Sequence, residues 1–281
     1  MKIKITADST CDLSEALVKQ YDIHVLPLTV MKADQPYLDG VTVTPADIFA
    51  HVAAGGSLCS TAAVSVGEYE EVFRKYSEGY DGIVHINIGS GFSACYQNAC
   101  IAAEEFPKVR VVDSKNLSTG QGLVVLKACD LAAQGLSADE IAERLKEVRE
   151  RVEASFLLDR LDYMVKGGRC SSATALGANL LNLKPCIEVR DGKMLVVKKY
   201  RGKYAKCLET YVRDRIQGRE DSLEHDWLFI THTPVTQECY DAVMKAVRDN
   251  NYFGNVYETN AGCTVSCHCG PGTLGVLFIR K

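Results

Sequence analysis

Helix-start signatures recur behind short apolar runs throughout the first half of this chain, and that alternation restricts the fold more than any other feature. Residues 3–7 read as a strand. Thr44-Pro45-Ala46-Asp47 opens a helix, with Thr44 as the N-cap and Pro45 at the first helical position, where a missing N–H costs nothing. Ser65-Val66-Gly67-Glu68 and Ser137-Ala138-Asp139-Glu140 are capping boxes, in which hydroxyl and carboxylate each satisfy a free backbone N–H. Behind the first, Tyr69, Val72, Phe73 and Tyr76 share one helical face; behind the second, so do Ile141, Leu145, Val148 and Val152. Residues 82–88 and 109–112 read as strands, and Tyr96, Ala99, Cys100 and Ala103 mark a helix between them. The pattern predicts an α/β fold whose N-terminal part is a mainly parallel sheet with helices on both faces.

The second half changes character. Strands over 186–189 and 194–197 flank Arg190-Asp191-Gly192-Lys193, and an Asp-Gly pair between strands signals a hairpin because its turn needs positive φ. A helix follows with Tyr204, Leu208, Tyr211 and Val212 in register. Then come a strand at 227–231, a helix with Tyr240, Val243, Met244 and Val247, and strands near 256–258 and 274–279. This implies a second α/β domain with a mixed sheet. We place the boundary at the end of the long helix, giving domains 1–153 and 154–281, closely packed because no Gly/Pro-rich linker separates them.

Composition closes off other classes. Lys plus Arg is 32 and Asp plus Glu 36, a net charge of −4 that leaves no footprint for nucleic acid or an anionic membrane. The opening Met1-Lys2-Ile3-Lys4 leads into a strand rather than a signal peptide. No apolar run approaches the roughly 18 residues of a transmembrane segment. We therefore expect a soluble, cytoplasmic protein. Its twelve cysteines are then reduced thiols. Cys100, Cys129, Cys186 and Cys207 sit in apolar patterns as small hydrophobes. The one cluster, Cys263, Cys267, His268 and Cys269, lacks the second distant ligand pair of zinc sites, so no metal is expected, although a metal or redox role for it stays open.

Four segments concentrate Gly, Ser, Thr and cations: Ser57 to Thr61, Gly89-Ser90-Gly91-Phe92-Ser93, Lys166-Gly167-Gly168-Arg169, and His268 to Thr273. Glycines at the carboxyl end of a parallel strand let backbone N–H groups approach an anionic ligand, with Ser93 free to donate; the same residues suit a helix cap beside a tight turn. Neither a Walker motif nor a dinucleotide fingerprint is present. Thr61 reads as a loop residue ahead of the capped helix. Arg169 suits a surface turn, and Arg201 follows the hairpin. His268 is expected in a loop, where a polar role suits it better than in a core. Ser93, His268 and Asp113 assemble into a triad only on paper, since no G-x-S-x-G elbow exists. That leaves a small-molecule hydrolase or transferase using Ser93 and His268 as the alternative to a binding protein.

In order along the chain, these segments resemble the DegV family, which includes the fatty-acid-binding subunits of the bacterial fatty acid kinase. The resemblance runs nearly end to end. It starts at Asp8-Ser9-Thr10-Cys11-Asp12-Leu13 and continues through Leu26-Pro27-Leu28, Tyr37-Leu38-Asp39-Gly40, Thr61 and Ser65-Val66-Gly67-Glu68-Tyr69. Gly89-Ser90-Gly91-Phe92-Ser93, Asp113-Ser114, Gly167-Gly168-Arg169, Leu183-Lys184-Pro185 and His268-Cys269-Gly270-Pro271-Gly272 complete the set. The resemblance implies a non-catalytic, cytoplasmic subunit in bacterial phospholipid metabolism. It would hold one long-chain fatty acid in the N-terminal domain, with the C-terminal domain closing over the carboxylate cleft. It further implies that Thr61, Ser93 and His268 meet the carboxylate, and that Arg169 and Arg201 serve the ligand head or the partner. That partner is an ATP-dependent fatty acid kinase subunit; no cofactor is expected beyond the bound fatty acid. The chain departs from the family where Ala62-Ala63-Val64 replaces Ser-Gln-Pro after the Thr and Ala94 replaces Gly, so the Thr61 loop is expected to differ in shape.

Overall fold

In the computed structural model, which describes residues 1–175 and 183–281, the first apolar run is a central strand, β1 (Ile3–Asp8). It pairs in parallel with β2 (His24–Leu26) on one side and, beyond β3 (Thr29–Lys32), β4 (Gln35–Leu38) and β5 (Ser60–Ala62), with β6 (Gly82–Asn87) on the other. With β7 (Val109–Asp113) the sheet order is β2-β1-β6-β7, all parallel. Every residue of β6 is buried, as expected of a strand covered on both faces.

The short helices α1 (Glu15–Gln20) and α2 (Pro45–Ala53) precede α3 (Val66–Ser77) and α4 (Cys95–Ala103), which pack together on the sheet. A second pair, α5 (Ser118–Ala133) and α6 (Ala138–Arg151), packs on it as well. Three capping boxes are formed, at Thr44/Asp47, Ser65/Glu68 and Ser137/Glu140.

The second sheet is mixed. Its strands are β8 (Val152–Leu158), β9 (Leu183–Arg190), β10 (Lys193–Arg201), β11 (Trp227–His232), β12 (Asn255–Asn260) and β13 (Thr273–Ile279), in the order β10-β9-β8-β13-β11-β12. Among the described residues of this sheet, only β11 and β12 pair in parallel. Helices α7 (Asp162–Gly167) and α8 (Ser171–Thr174) follow β8, α9 (Tyr204–Ile216) and α10 (Gln237–Arg248) pack on each other, and α11 (Cys263–Cys269) precedes the last strand. The hairpin turn has Asp191 at φ 48° and Gly192 at φ 70°, the doubly left-handed turn that Asp-Gly favours.

Several expectations are corrected. α6 stops at Arg151, and Val152 opens β8 instead of continuing the helical face. α4 buries Cys95, Ala99 and Ala102 against α3, β6 and β7, leaving Tyr96, Cys100 and Ala103 half-covered. Thr61 belongs to β5, within a three-stranded antiparallel sheet (β4-β3-β5), not to a loop. His268 lies in α11 rather than in a loop.

α5 joins the two halves. Residues 118–126 are buried without interruption, and the helix touches both β1 and β8. One continuous apolar core therefore contains Ile5 and Leu123 together with Ala154, Phe229 and Leu277. α5 also makes buried polar contacts to both halves: Thr119 Oγ1 lies 2.6 Å from Thr231 Oγ1, and Thr10 Oγ1 donates to Gln121 Oε1 (2.8 Å), whose amide donates to the Ile86 carbonyl (3.0 Å). Gly122 is required there, since a Cβ would lie 2.7 Å from the Cys11 carbonyl oxygen.

Candidate functional site

The carboxyl end of β6 is held from below by a buried carboxylate. Asp8 accepts hydrogen bonds from Tyr69 Oη (2.8 Å), Asn87 Nδ2 (3.1 Å) and the Ile88 N–H (2.9 Å). Above it, Gly89 donates to the Asn116 carbonyl (2.7 Å) and approaches that segment too closely for a side chain. Ser90 closes onto the Asp113 carboxylate through its N–H (3.1 Å) and hydroxyl (2.6 Å). Ser93 then arrives just before α4, where its hydroxyl accepts from the Cys95 N–H (3.3 Å) and donates to Cys95 Sγ (3.2 Å). The donation to sulfur is weak, so the hydroxyl is available to a better acceptor. Burial pushes the Cys95 thiol up to about 11, which keeps it protonated.

Thr61 is presented by β5, opposite Val30 of β3. Its Oγ1 lies 2.9 Å from His268 Nε2. Burial, reinforced by the positive charge of Arg169, lowers the His268 pKa to about 4, so the imidazole is neutral near pH 7. If Nε2 carries the proton, it donates to Thr61 and leaves the threonine hydroxyl hydrogen free for a ligand. The other ring nitrogen, Nδ1, is buried with no hydrogen-bond partner among the described residues and faces Gly167, where a Cβ would sit 2.5 Å away. Gly167 is thus the space that admits the imidazole.

α11, which carries His268, is tied to the N-terminal half by two aspartates. Asp39 accepts from the Cys263 N–H (2.8 Å), the Thr264 N–H (3.1 Å) and Ser9 Oγ (3.0 Å). Asp12 accepts from the Gly262 N–H (2.9 Å) and Ser118 Oγ (2.6 Å). Burial raises Asp12 to about 8, against the pull of those donors. The thiols of Cys263 and Cys269 are pushed by burial to about 12, and among the described residues no three metal-ligating side chains form a cluster.

Thr61, Ser93, His268 and Arg169 line one cavity of about 210 Å³. Its other walls are mostly apolar and come from both halves: Leu28, Ile88, Phe92 and Leu117 on one side, Met164, Met194 and Val265 on the other. A smaller void of about 30 Å³ lies behind, sharing Leu117, Val265 and Cys269 as a partition. Arg169 is exposed and folds back on the Gly167 carbonyl (2.8 Å). Arg201 ends β10, exposed and outside the cavity wall. The paper triad is not assembled: Asp113 is occupied by Ser90 and Lys115, and His268 points its Nε2 at Thr61. Asp8, Asp12, Asp39, Leu117, Met164 and Val265 carry no assigned role in the sequence reading. Only Asp8, Asp12 and Asp39 left a signal, through their place in segments 8–13 and 37–40.

A family model described as "Uncharacterised protein, DegV family" matches residues 2–281. A DegV domain-containing protein of Clostridium acetobutylicum is 35% identical over 290 residues, covering 100% of this chain and 99% of that protein. One from Caldanaerobacter subterraneus is 32% identical, with coverage of 100% and 99%. Among solved structures, a DegV family protein from Thermus thermophilus, described for its fatty acid binding, superposes with a TM-score of 0.92 at 26% identity over 100% of both chains. A DegV lipid binding protein from Thermotoga maritima gives a TM-score of 0.85 at 27% identity, covering 100% of this chain and 99% of that one. From its first strand to its last, this chain belongs to the DegV family.

Proposed function

We propose that this protein binds a single long-chain fatty acid and presents its carboxylate to an ATP-dependent fatty acid kinase subunit, without catalysing the transfer itself. The observation that carries the reading is the meeting of Thr61, Ser93 and the neutral His268 on a cavity whose remaining walls are largely apolar. Each buried methylene contributes about 0.8 kcal/mol, so an acyl chain supplies affinity. A bare carboxylate cannot be buried, so donors must meet it. Thr61 and Ser93 are hydroxyl donors, and Arg169 places a cation at the rim. The solved relatives described as binding fatty acid or lipid support the same ligand class.

The cavity is smaller than the ~300–1,000 Å³ typical of small-molecule sites. The void behind Leu117 and Val265 adds only about 30 Å³, so the acyl chain enters by displacing that partition, with its tail between the two domains rather than inside the N-terminal one alone. The head remains near Arg169, where a kinase can reach it.

Arg201 then serves the partner rather than the lipid, because it is exposed and lies outside the cavity wall. Protein loaded with one fatty acid and mixed with partner kinase and ATP should form acyl-phosphate, with Arg169 as the cation near the head that steadies the incoming polyanion. Arg201→Ala should retain its lipid yet lower that rate by about tenfold, the effect of roughly 1.4 kcal/mol. Unchanged phosphorylation would remove the role, and joint loss of lipid and activity would move Arg201 to the carboxylate.

A further inference from the structure

A second cavity, of about 430 Å³, opens where the turn between β9 and β10 meets the Lys115-Asn116 corner. It shares no lining residue with the apolar cavity, and its walls are ionic. Lys115 and Arg149 flank Glu150 at 2.5 and 3.5 Å. Arg215 and Arg219 flank Glu153 at 3.3 and 2.8 Å. Arg190 and Arg215 both hold Glu188. Arg280 donates to the Glu150 carbonyl (2.7 Å) and meets no carboxylate at ion-pair distance among the described residues. With Asp191 at the turn, six cations face four carboxylates, an excess of two positive charges in one concavity. The Arg149 contact to Glu150 runs through a buried Nε that makes no hydrogen bond among the described residues, while the same guanidinium donates to the Asp113 carbonyl (2.8 Å).

A network built only for stability would balance its charges, because an unmatched cation in a recess is repelled by its neighbours. Here the carboxylates fix the arginines in place and fall two short. Guanidinium forks match phosphate oxygens, and a concave wall of one net sign concentrates the opposite ion. We propose that this cavity binds the dianionic phosphate group of a small organic phosphate. The volume exceeds what a lone phosphate fills and falls within the ~300–1,000 Å³ typical of small-molecule sites. The site is separate from the cavity that holds Thr61 and Ser93, although Asn116 on its wall is the direct neighbour of Leu117 in the other and Val189 is shared with the small void behind it.

Calorimetric titration of the full-length protein at constant ionic strength, with inorganic phosphate and with a hexose phosphate as separate probes, tests this. The expected result is saturable binding of the hexose phosphate, at least about fivefold tighter than inorganic phosphate. Equal affinities would assign the site to free phosphate and overturn the organic ligand. Arg190→Gln, at the exposed rim, should weaken binding by about fivefold or more. Glu150→Gln removes a competing carboxylate and should tighten it, an effect that a purely structural network would not produce. Bound fatty acid, measured in the same samples, should be unchanged in both variants. No saturable binding of either probe, or identical affinity in wild type and both variants, would overturn the proposal.

Discussion

Removing both hydroxyls, Thr61→Ala with Ser93→Ala, is expected to weaken fatty acid binding by a hundredfold or more while leaving the protein folded. A hydrogen bond to a charged group contributes on the order of 1.5–3 kcal/mol, and every 1.4 kcal/mol is tenfold in affinity. Two such bonds to one carboxylate couple, so their losses do not simply add. The structural cost is small. Ser93 gives up a weak bond to Cys95 Sγ, and Thr61 leaves His268 Nε2 to the cavity. The check is titration with a long-chain fatty acid beside a thermal melt. Wild-type affinity in the double variant would remove Thr61 and Ser93 from the carboxylate site.

Asp39→Ala is expected to act on the same site from the far end of α11. Asp39 is buried and receives two backbone N–H groups of that helix and the Ser9 hydroxyl. Alanine strands all three, and an unsatisfied buried polar group costs about 1–3 kcal/mol. Water entering from the groove beside Gly40 offsets part of this, so the net loss should be about 3–5 kcal/mol. For a chain of this size that corresponds to a melting temperature lower by roughly 5–8 °C. Because α11 positions His268 against Thr61, lipid binding should fall with stability. Asp39→Asn, which keeps one acceptor oxygen, should recover about half of the loss. A melt within about 2 °C of wild type would show that Asp39 does not anchor α11.

Sequence patterns carried the N-terminal sheet because its helices are amphipathic and visibly capped. α3 and α6 each combine a capping box with an apolar stripe, and β6, the strand that follows α3, is largely apolar. α5 escaped because it is buried all round, so no stripe appears, and its first turns contain Gly120 and Gly122. The β3-β4-β5 sheet escaped because its strands are only three or four residues long. His268 read as a loop residue because α11 has only seven residues and ends at Gly270, while its caps are the distant Asp12 and Asp39. Such long-range caps leave no local pattern. The meeting of Thr61 with His268, 207 positions apart, was legible only through the family resemblance. The charged cavity left no trace at all, since its arginines are scattered from Arg149 to Arg280.

The most direct test of the central claim is mass spectrometry of lipid extracted from the purified protein, before and after incubation with a mixture of fatty acids. A defined long-chain fatty acid should be recovered in about one-to-one amount with the chain, and its matching alcohol should not compete for the site. Protein that purifies empty and retains no fatty acid after incubation, or that retains alcohol and acid equally, would contradict it.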